Sequence, residues 1–268
     1  MRRIGRFLLV ATVLCLAAVP TAPAGAIVGG QLDGNRHPEV GALIGFDPDA
    51  QEYFLLCSGT LISPTVFLTA AHCTSFLEDL GGDRAWASFD PTDPTDPSTL
   101  HEGTLHTNPE YPGPFSRLGD IGVLVFDQAV SAIAPAHLPT EGVLDQMQAD
   151  GTLRSTRFTA VGYGTARTDK TGGPNALVFD GQRRFATQSV NTLNANWLRL
   201  SMNVSTGSGG TCFGDSGGPH FIGAGQTETD VVAAITITGD SVCRATDVDY
   251  RMDTPSARDF LGDFVTLP

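Results

Sequence analysis

Basic residues are scarce in this 268-residue chain: 16 lysines and arginines stand against 29 aspartates and glutamates, a formal net charge of −13. That balance makes nucleic acid a poor partner, because its phosphates are held by Lys and Arg. It fits solubility and colloidal stability instead. Long apolar runs are scarce as well. FLLVATVLCLAAV (7–19) is shorter than the ~20 residues of a membrane-spanning helix, and nothing after it is comparably apolar. No C-x-x-C pair occurs. Cys73 adjoins His72, but no second close pair faces them, so the spacing of a zinc site is missing. Helix–strand alternation is also absent, which argues against an α/β architecture.

The amino end reads as an export signal over residues 1–26. Arg2, Arg3 and Arg6 precede the apolar run, and PTAPAGA (20–26) ends in the small-x-small pattern Ala24-Gly25-Ala26. Cys15 belongs to that run and not to a lipid-attachment site, since Leu14 before it is bulky and the run continues beyond it. Cleavage after Ala26 leaves 242 residues, and the loss of three arginines takes the net charge to −16. The expected product is secreted, free of the membrane, and monomeric. Its four cysteines, Cys57, Cys73, Cys212 and Cys243, are an even set in an exported chain and point to disulfides, with three pairings open.

Short β-like segments make up most of the rest. EVGALIGF (39–46), EYFLLCSGTLISPTVFLTAAHC (52–73), DIGVLVFD (120–127), RFTAVGYG (157–164), WLRLSMNV (197–204) and DVVAAITITG (230–239) are rich in Val, Ile, Phe and Thr. They predict an all-β sandwich or barrel. Ile235 and Ile237 alternate with Thr236 and Thr238, the period of a strand with one buried face. Residues 131–151 carry the weakest strand signal and read as a connector. One helix is expected at the end, capped by Thr254, begun by Pro255 and presenting Phe260, Leu261 and Phe264. The Asp-Pro-Thr repeats of FDPTDPTDPS (89–98) exclude a central strand. Asp90, Asp93 and Asp96 there are read as a solvated loop, because a calcium site needs six or more converging oxygens. Asn203-Val204-Ser205 fits a glycosylation sequon, a short match that is common by chance.

The chemistry points to TCFGDSGGPH (211–220). A serine hydroxyl becomes a nucleophile when an imidazole removes its proton and a carboxylate orients that imidazole. The stretch fits G-x-S-x-G, but in the α/β-hydrolase order the acid and then the histidine follow the serine. Here the sole later histidine is His220, four residues on. The opposite order is available: His72 in LTAAHC, Asp120 in GDIGVLVF, Ser216 in GDSGGP. His37, His101, His106, His137 and His220 have no motif around them.

With these motifs the sequence resembles the chymotrypsin/trypsin-type serine peptidases, from IVGG (27–30) to the final helix. The resemblance implies two six-stranded antiparallel β-barrels with a C-terminal α-helix, residues 27–140 forming the first barrel and 141–268 the second. It implies that Ser216 attacks a peptide carbonyl, that His72 relays the proton, and that Asp120 holds the tautomer. The backbone N–H groups of Gly214 and Ser216 would bind the oxyanion, each worth ~3 kcal/mol of barrier. Asp215 would pair with the α-amino group of a chain starting at Ile27, so that signal cleavage itself creates the active terminus. VGYG (161–164) resembles the family's glycine-aromatic-glycine turn. The disulfides implied are Cys57–Cys73 and Cys212–Cys243. Gly210, six residues before Ser216, would floor a neutral specificity pocket walled by Thr211, Cys212, the strand Thr236 to Gly239, and Val248. Asp247 or Asp249 pointing inward would instead restore a basic preference. Support of Asp120 by Thr236 or Thr238 is left open. A peptide or protein substrate is implied; no cofactor or metal is. A silent homologue that binds a partner through the same cleft is the rival.

Overall fold

The computed structural model describes residues 27–112, 118–167 and 177–268; the expected export signal lies outside the described residues. After a short β1 (Gln31–Leu32), six strands close into a barrel: β2 (Val40–Asp47), β3 (Glu52–Ser63), β4 (Val66–Thr69), β5 (Arg84–Ser88), β6 (Leu100–Thr107) and β7 (Gly122–Phe126). Its strand order is β2-β3-β4-β7-β6-β5, and antiparallel β2–β5 pairing shuts the ring. Leu43, Phe67, Leu105, Leu124 and Phe126 fill its interior.

The second barrel is built from β8 (Arg157–Gly162), β11 (Arg184–Leu193), β12 (Trp197–Ser201), β13 (Pro219–Ile222), β14 (Val232–Gly239) and β15 (Thr246–Arg251), closed by antiparallel β8–β11 pairing. A small hairpin, β9 (Ala166–Arg167) with β10 (Leu177–Val178), stands apart from it. Phe158, Leu198, Leu200, Ala233 and Ala234 pack inside the second barrel. A third cluster, including Val40, Leu68, Val123, Val161, Phe221, Ile235 and Tyr250, draws on strands of both barrels and seals one against the other. A barrel leaves no free strand edge, which is why so many short strands give one stable body.

Several expectations are corrected. The run 52–73 is two strands followed by the start of α1 (Ala71–Asp79), which buries Ala71, Cys73, Thr74 and Leu77. The connector 131–151 contains α2 (Val143–Ala149), seated by Leu144 in the second core. Strand β14 is buried on both faces down to Ile237, not on one. The hydroxyl of Thr236 can be buried because it meets Nε2 of His220 at 2.9 Å. The terminal helix is α3 (Pro255–Leu261); Thr254 Oγ1 accepts the Ala257 N–H, and Phe264 lies beyond the helix but packs on Phe260. The segment before β2, expected with the first barrel, reaches the second instead: β1 pairs with β11, and Val28 exchanges backbone hydrogen bonds with Gly210.

Candidate functional site

Helix α1 begins with few partners for its first N–H groups, since Ala70 at its N-cap offers no side-chain acceptor. Asp120 supplies one. Its Oδ1 accepts the backbone N–H of His72 at 2.9 Å, and its carboxylate also meets His72 Nδ1 at 2.9 and 3.1 Å. One buried carboxylate thus caps the helix, sits favourably at its positive end, and fixes the imidazole. With Nδ1–H donated to Asp120, Nε2 is left as the basic nitrogen. The disulfide Cys57–Cys73 ties the residue after His72 to β3, and Cys212–Cys243 ties the segment before Ser216 to the loop after β14.

The Ser216 turn is bound to both barrels. Its carbonyl accepts the N–H of Ser58 on β3 at 2.8 Å, while Gly217 N–H donates to Thr236 O at 2.8 Å. Gly217 packs against Thr69 and Ala70, the residues leading into the His72 helix. No hydrogen bond joins the His72 imidazole to the Ser216 hydroxyl among the described residues. What the structure brings together is the Ser216 turn and the residues just before His72. Gly214 has φ +96°, and a Cβ there would lie 3.0 Å from the Cα of Gly164, so glycine is required on both counts. Among the described residues, neither the Gly214 nor the Ser216 N–H is taken up by an acceptor. Thr236 is committed to His220, and the carboxylate of Asp120 bonds to His72 alone among the described residues.

Asp215 is completely buried and accepts N–H groups of Gly164 and Cys212, each at 2.8 Å. Burial pushes its pKa up to about 7 against the pull of these two hydrogen bonds, and the charge of Asp247 adds to the rise. Gly162 and Gly164 flank Tyr163 because the Asp215 carboxylate occupies the space their side chains would need. Ile27 is also fully buried, but while residue 26 precedes it the nitrogen is a peptide N–H without charge.

Beside Ser216 opens a cavity of about 200 Å³ lined by Thr211, Cys212, Phe213, the stretch from Thr236 to Ser241, and Cys243. Two expected residues do not line it. Val248 is half-buried against the inter-barrel cluster, and Gly210, outside the lining, exchanges backbone hydrogen bonds with Val28. Phe213, Asp240 and Ser241 line it as well; Phe213 lies inside TCFGDSGGPH, while no motif marks the other two. Asp247 and Asp249 are fully buried. Asp247 accepts the Thr211 hydroxyl at 2.6 Å and the Gln188 amide at 2.9 Å. Asp249 lies 2.8 Å from His220 Nε2. Burial, and then the charge of Asp247, push the Asp249 pKa up to about 8. Burial alone would lower that of His220, but the two aspartates outweigh it and raise it.

Asp90 and Asp96 spend carboxylate oxygens on N–H groups of their own loop, those of Thr92, Asp93 and Ser98. Asn203 does likewise with Ser205. A second buried cluster brings together residues far apart in the chain. His37 is held between Asp33 and Glu228, with Glu228 Oε1 2.8 Å from Nε2. Nothing in the linear spacing relates residues 37 and 228.

Two closed antiparallel barrels, with a histidine–aspartate pair on one and a glycine-hemmed serine on the other, define the class of chymotrypsin-type serine peptidases. The chain belongs to the trypsin family, whose model, described as Trypsin, matches residues 34–259. It is 26% identical to kallikrein 1-related peptidase b27 of Mus musculus over 234 residues, covering 80% of this chain and 82% of the relative. Among solved structures it is similar to HL collagenase (TM-score 0.64, 16% identity, 90% of this chain and 97% of the other). It is similar also to a mutant of human heparin binding protein (TM-score 0.62, 19% identity, 88% and 96%). At these identities the two structures speak for the fold.

Proposed function

We propose that the chain is an exported serine endopeptidase in which Ser216 is the nucleophile, His72 the general base and acid, and Asp120 the group that holds His72. The observation that carries this is the double grip of Asp120 on His72, through N–H and Nδ1, with the Ser216 turn seated at the start of the same helix. Ser216 Oγ attacks the scissile carbonyl as His72 Nε2 takes its proton. The imidazolium, stabilised by Asp120, then protonates the leaving amine, and water releases the acyl group by the reverse relay. The uncommitted N–H groups of Gly214 and Ser216 suit the oxyanion.

Of the carboxylates near the cavity, those of Asp247 and Asp249 are buried behind Thr211 and β14, and that of Asp240, in the lining, is taken up by the N–H groups of Arg244, Ala245 and Thr246. This supports an apolar preference over a basic one. Activation follows from Asp215. Cleavage after Ala26 would turn the buried Ile27 nitrogen into an ammonium able to pair with a carboxylate that burial otherwise penalises. N-terminal sequencing of secreted protein tests the point, and a start other than Ile27 rules it out.

The deciding experiment is labelling with a fluorophosphonate, with Ser216→Ala as control, followed by cleavage of a random peptide library. An enzyme labels at Ser216 and cleaves. A silent binding homologue does neither.

A further inference from the structure

Gly210 lacks a side chain, but the space that one would occupy is not empty. A Cβ built on Gly210 would fall onto Cγ of Met202 and within 2.7 Å of its Sδ. A Cβ on Gly239, which lines the cavity, would lie 3.4 Å from Met202 Cε. The Met202 side chain therefore runs from beside Gly210 to beside Gly239, with only 1% of the residue exposed. Its backbone is fixed in that position by a 3.0 Å hydrogen bond from Met202 N–H to Ala245 O.

A charged group stands next to it. Gln188 Nε2, which donates to Asp247 Oδ2, would lie 2.9 Å from the same Gly210 Cβ, and the Cα of Asp247 would lie 3.9 Å from the Gly239 Cβ. Thr211 lines the cavity and sends its hydroxyl backwards to Asp247. Gly239 thus borders the backbone of the aspartate and Gly210 borders the glutamine that donates to it, and a methionine fills the gap between the two glycines. Methionine suits this: it is flexible enough to fill an irregular space, and apolar.

We propose that Met202 is the closed end of the specificity pocket, and that it keeps the buried Asp247 from reaching a substrate side chain. The proposal rests on reading the cavity beside Ser216 as that pocket. It makes the apolar preference a property of a residue outside every motif: the glycine at 210 admits the methionine, and the methionine excludes the cation that Asp247 would attract. An unpaired ammonium or guanidinium pressed on the thioether would lose its hydration without gaining a partner.

The test is equilibrium binding of benzamidine, a planar cation, to the chain beginning at Ile27. Wild type should bind weakly, and Asp247→Asn should bind equally weakly. Met202→Ala should tighten binding at least tenfold, and Asp247→Asn in that background should return it to the wild-type level. Should Met202→Ala not fold, Met202→Val gives the same comparison with a smaller gain, and the Asp247→Asn arm stands without touching Met202. Strong binding by wild type that Asp247→Asn weakens tenfold, or no gain on shortening folded Met202, would overturn the proposal. Benzamidine binding needs no nucleophile. A chain that follows the expected pattern yet takes up no fluorophosphonate bears out the closed pocket while sinking the enzymatic reading.

Discussion

The guanidinium of Arg183 and the carboxylate of Asp33 meet at 2.9 Å, Nε to Oδ2, with neither side chain exposed. The same guanidinium donates to the carbonyls of Val40 at 2.7 Å and Phe89 at 3.1 Å, both in or beside the first barrel, and to Tyr163 Oη at 3.2 Å. Arg183 itself leads into the second barrel. One buried cation therefore laces the barrels together. Removing one member of such a pair strands the other, so Arg183→Met should cost about 3–5 kcal/mol. Urea unfolding measures this, and Arg183→Met with Asp33→Asn should cost less than the sum of the two.

Asp120→Asn should leave the fold intact and lower kcat by roughly 10⁴-fold. An amide can present its NH₂ to His72 Nδ1, which would favour the tautomer with its proton on Nε2 and leave no base facing Ser216. Circular dichroism should be unchanged while turnover of the best library peptide collapses. A loss of tenfold or less would take Asp120 out of the mechanism and leave it as the helix cap.

The uncut chain and the chain starting at Ile27 should differ in how stability depends on pH. In the uncut chain the folded pKa of Asp215 is raised from 3.8 to about 7, so the folded state holds a proton that the unfolded state has lost. Stability is then fullest below about pH 4 and falls as pH rises toward 7. An Ile27 ammonium would relieve this penalty. Calorimetry of the two forms in a Ser216→Ala background should show a gap that widens from pH 4 to 7 and vanishes with Asp215→Asn. Parallel curves would show that Asp215 and the new terminus do not pair.

The barrels were legible because each strand advertises itself locally, in a run of Val, Ile, Phe and Thr closed by a turn. The GDSGGP turn was legible for the same reason, since its glycines are demanded by neighbours such as Gly164 and by a positive φ at Gly214. Helix α1 was missed because a disulfide and the Asp120 cap hold it, and both partners lie elsewhere in the chain. The pocket was misread at Val248 for a related reason. Strand register decides which way each residue of β15 points, and β14 is irregular there, its pairing shifting between Thr236 and Thr238, so that Val248 packs against the inter-barrel cluster instead. Buried charge was the hardest feature to foresee: Asp33, His37, Asp247 and Asp249 look like surface residues until the barrels close over them.

His37 should make part of the stability depend on pH in the opposite sense to Asp215. Its ring lies between Asp33 and Glu228, stacks on Phe221 with centroids 5.6 Å apart, and tilts against Phe185. Two cations also reach this cluster, Arg36 toward Glu228 and Arg183 toward Asp33. Burial alone would lower the His37 pKa, but hydrogen bonds and charge from Asp33 and Glu228 outweigh it and raise the value above 6.5. The folded state therefore holds the proton more tightly than the unfolded one. The stabilisation is complete below about pH 6.5 and disappears as pH rises through the raised value. His37→Gln, which keeps a hydrogen-bonding group but no charge, should cost about 1.5–3 kcal/mol at pH 6 and less at pH 9. Because β1 and Val28 follow the same segment onto the second barrel, hydrogen exchange at residues 28–32 should quicken with pH faster in wild type than in the variant, once intrinsic rates are removed. A cost for His37→Gln that is equal at both pH values would mean the ring serves there by packing alone.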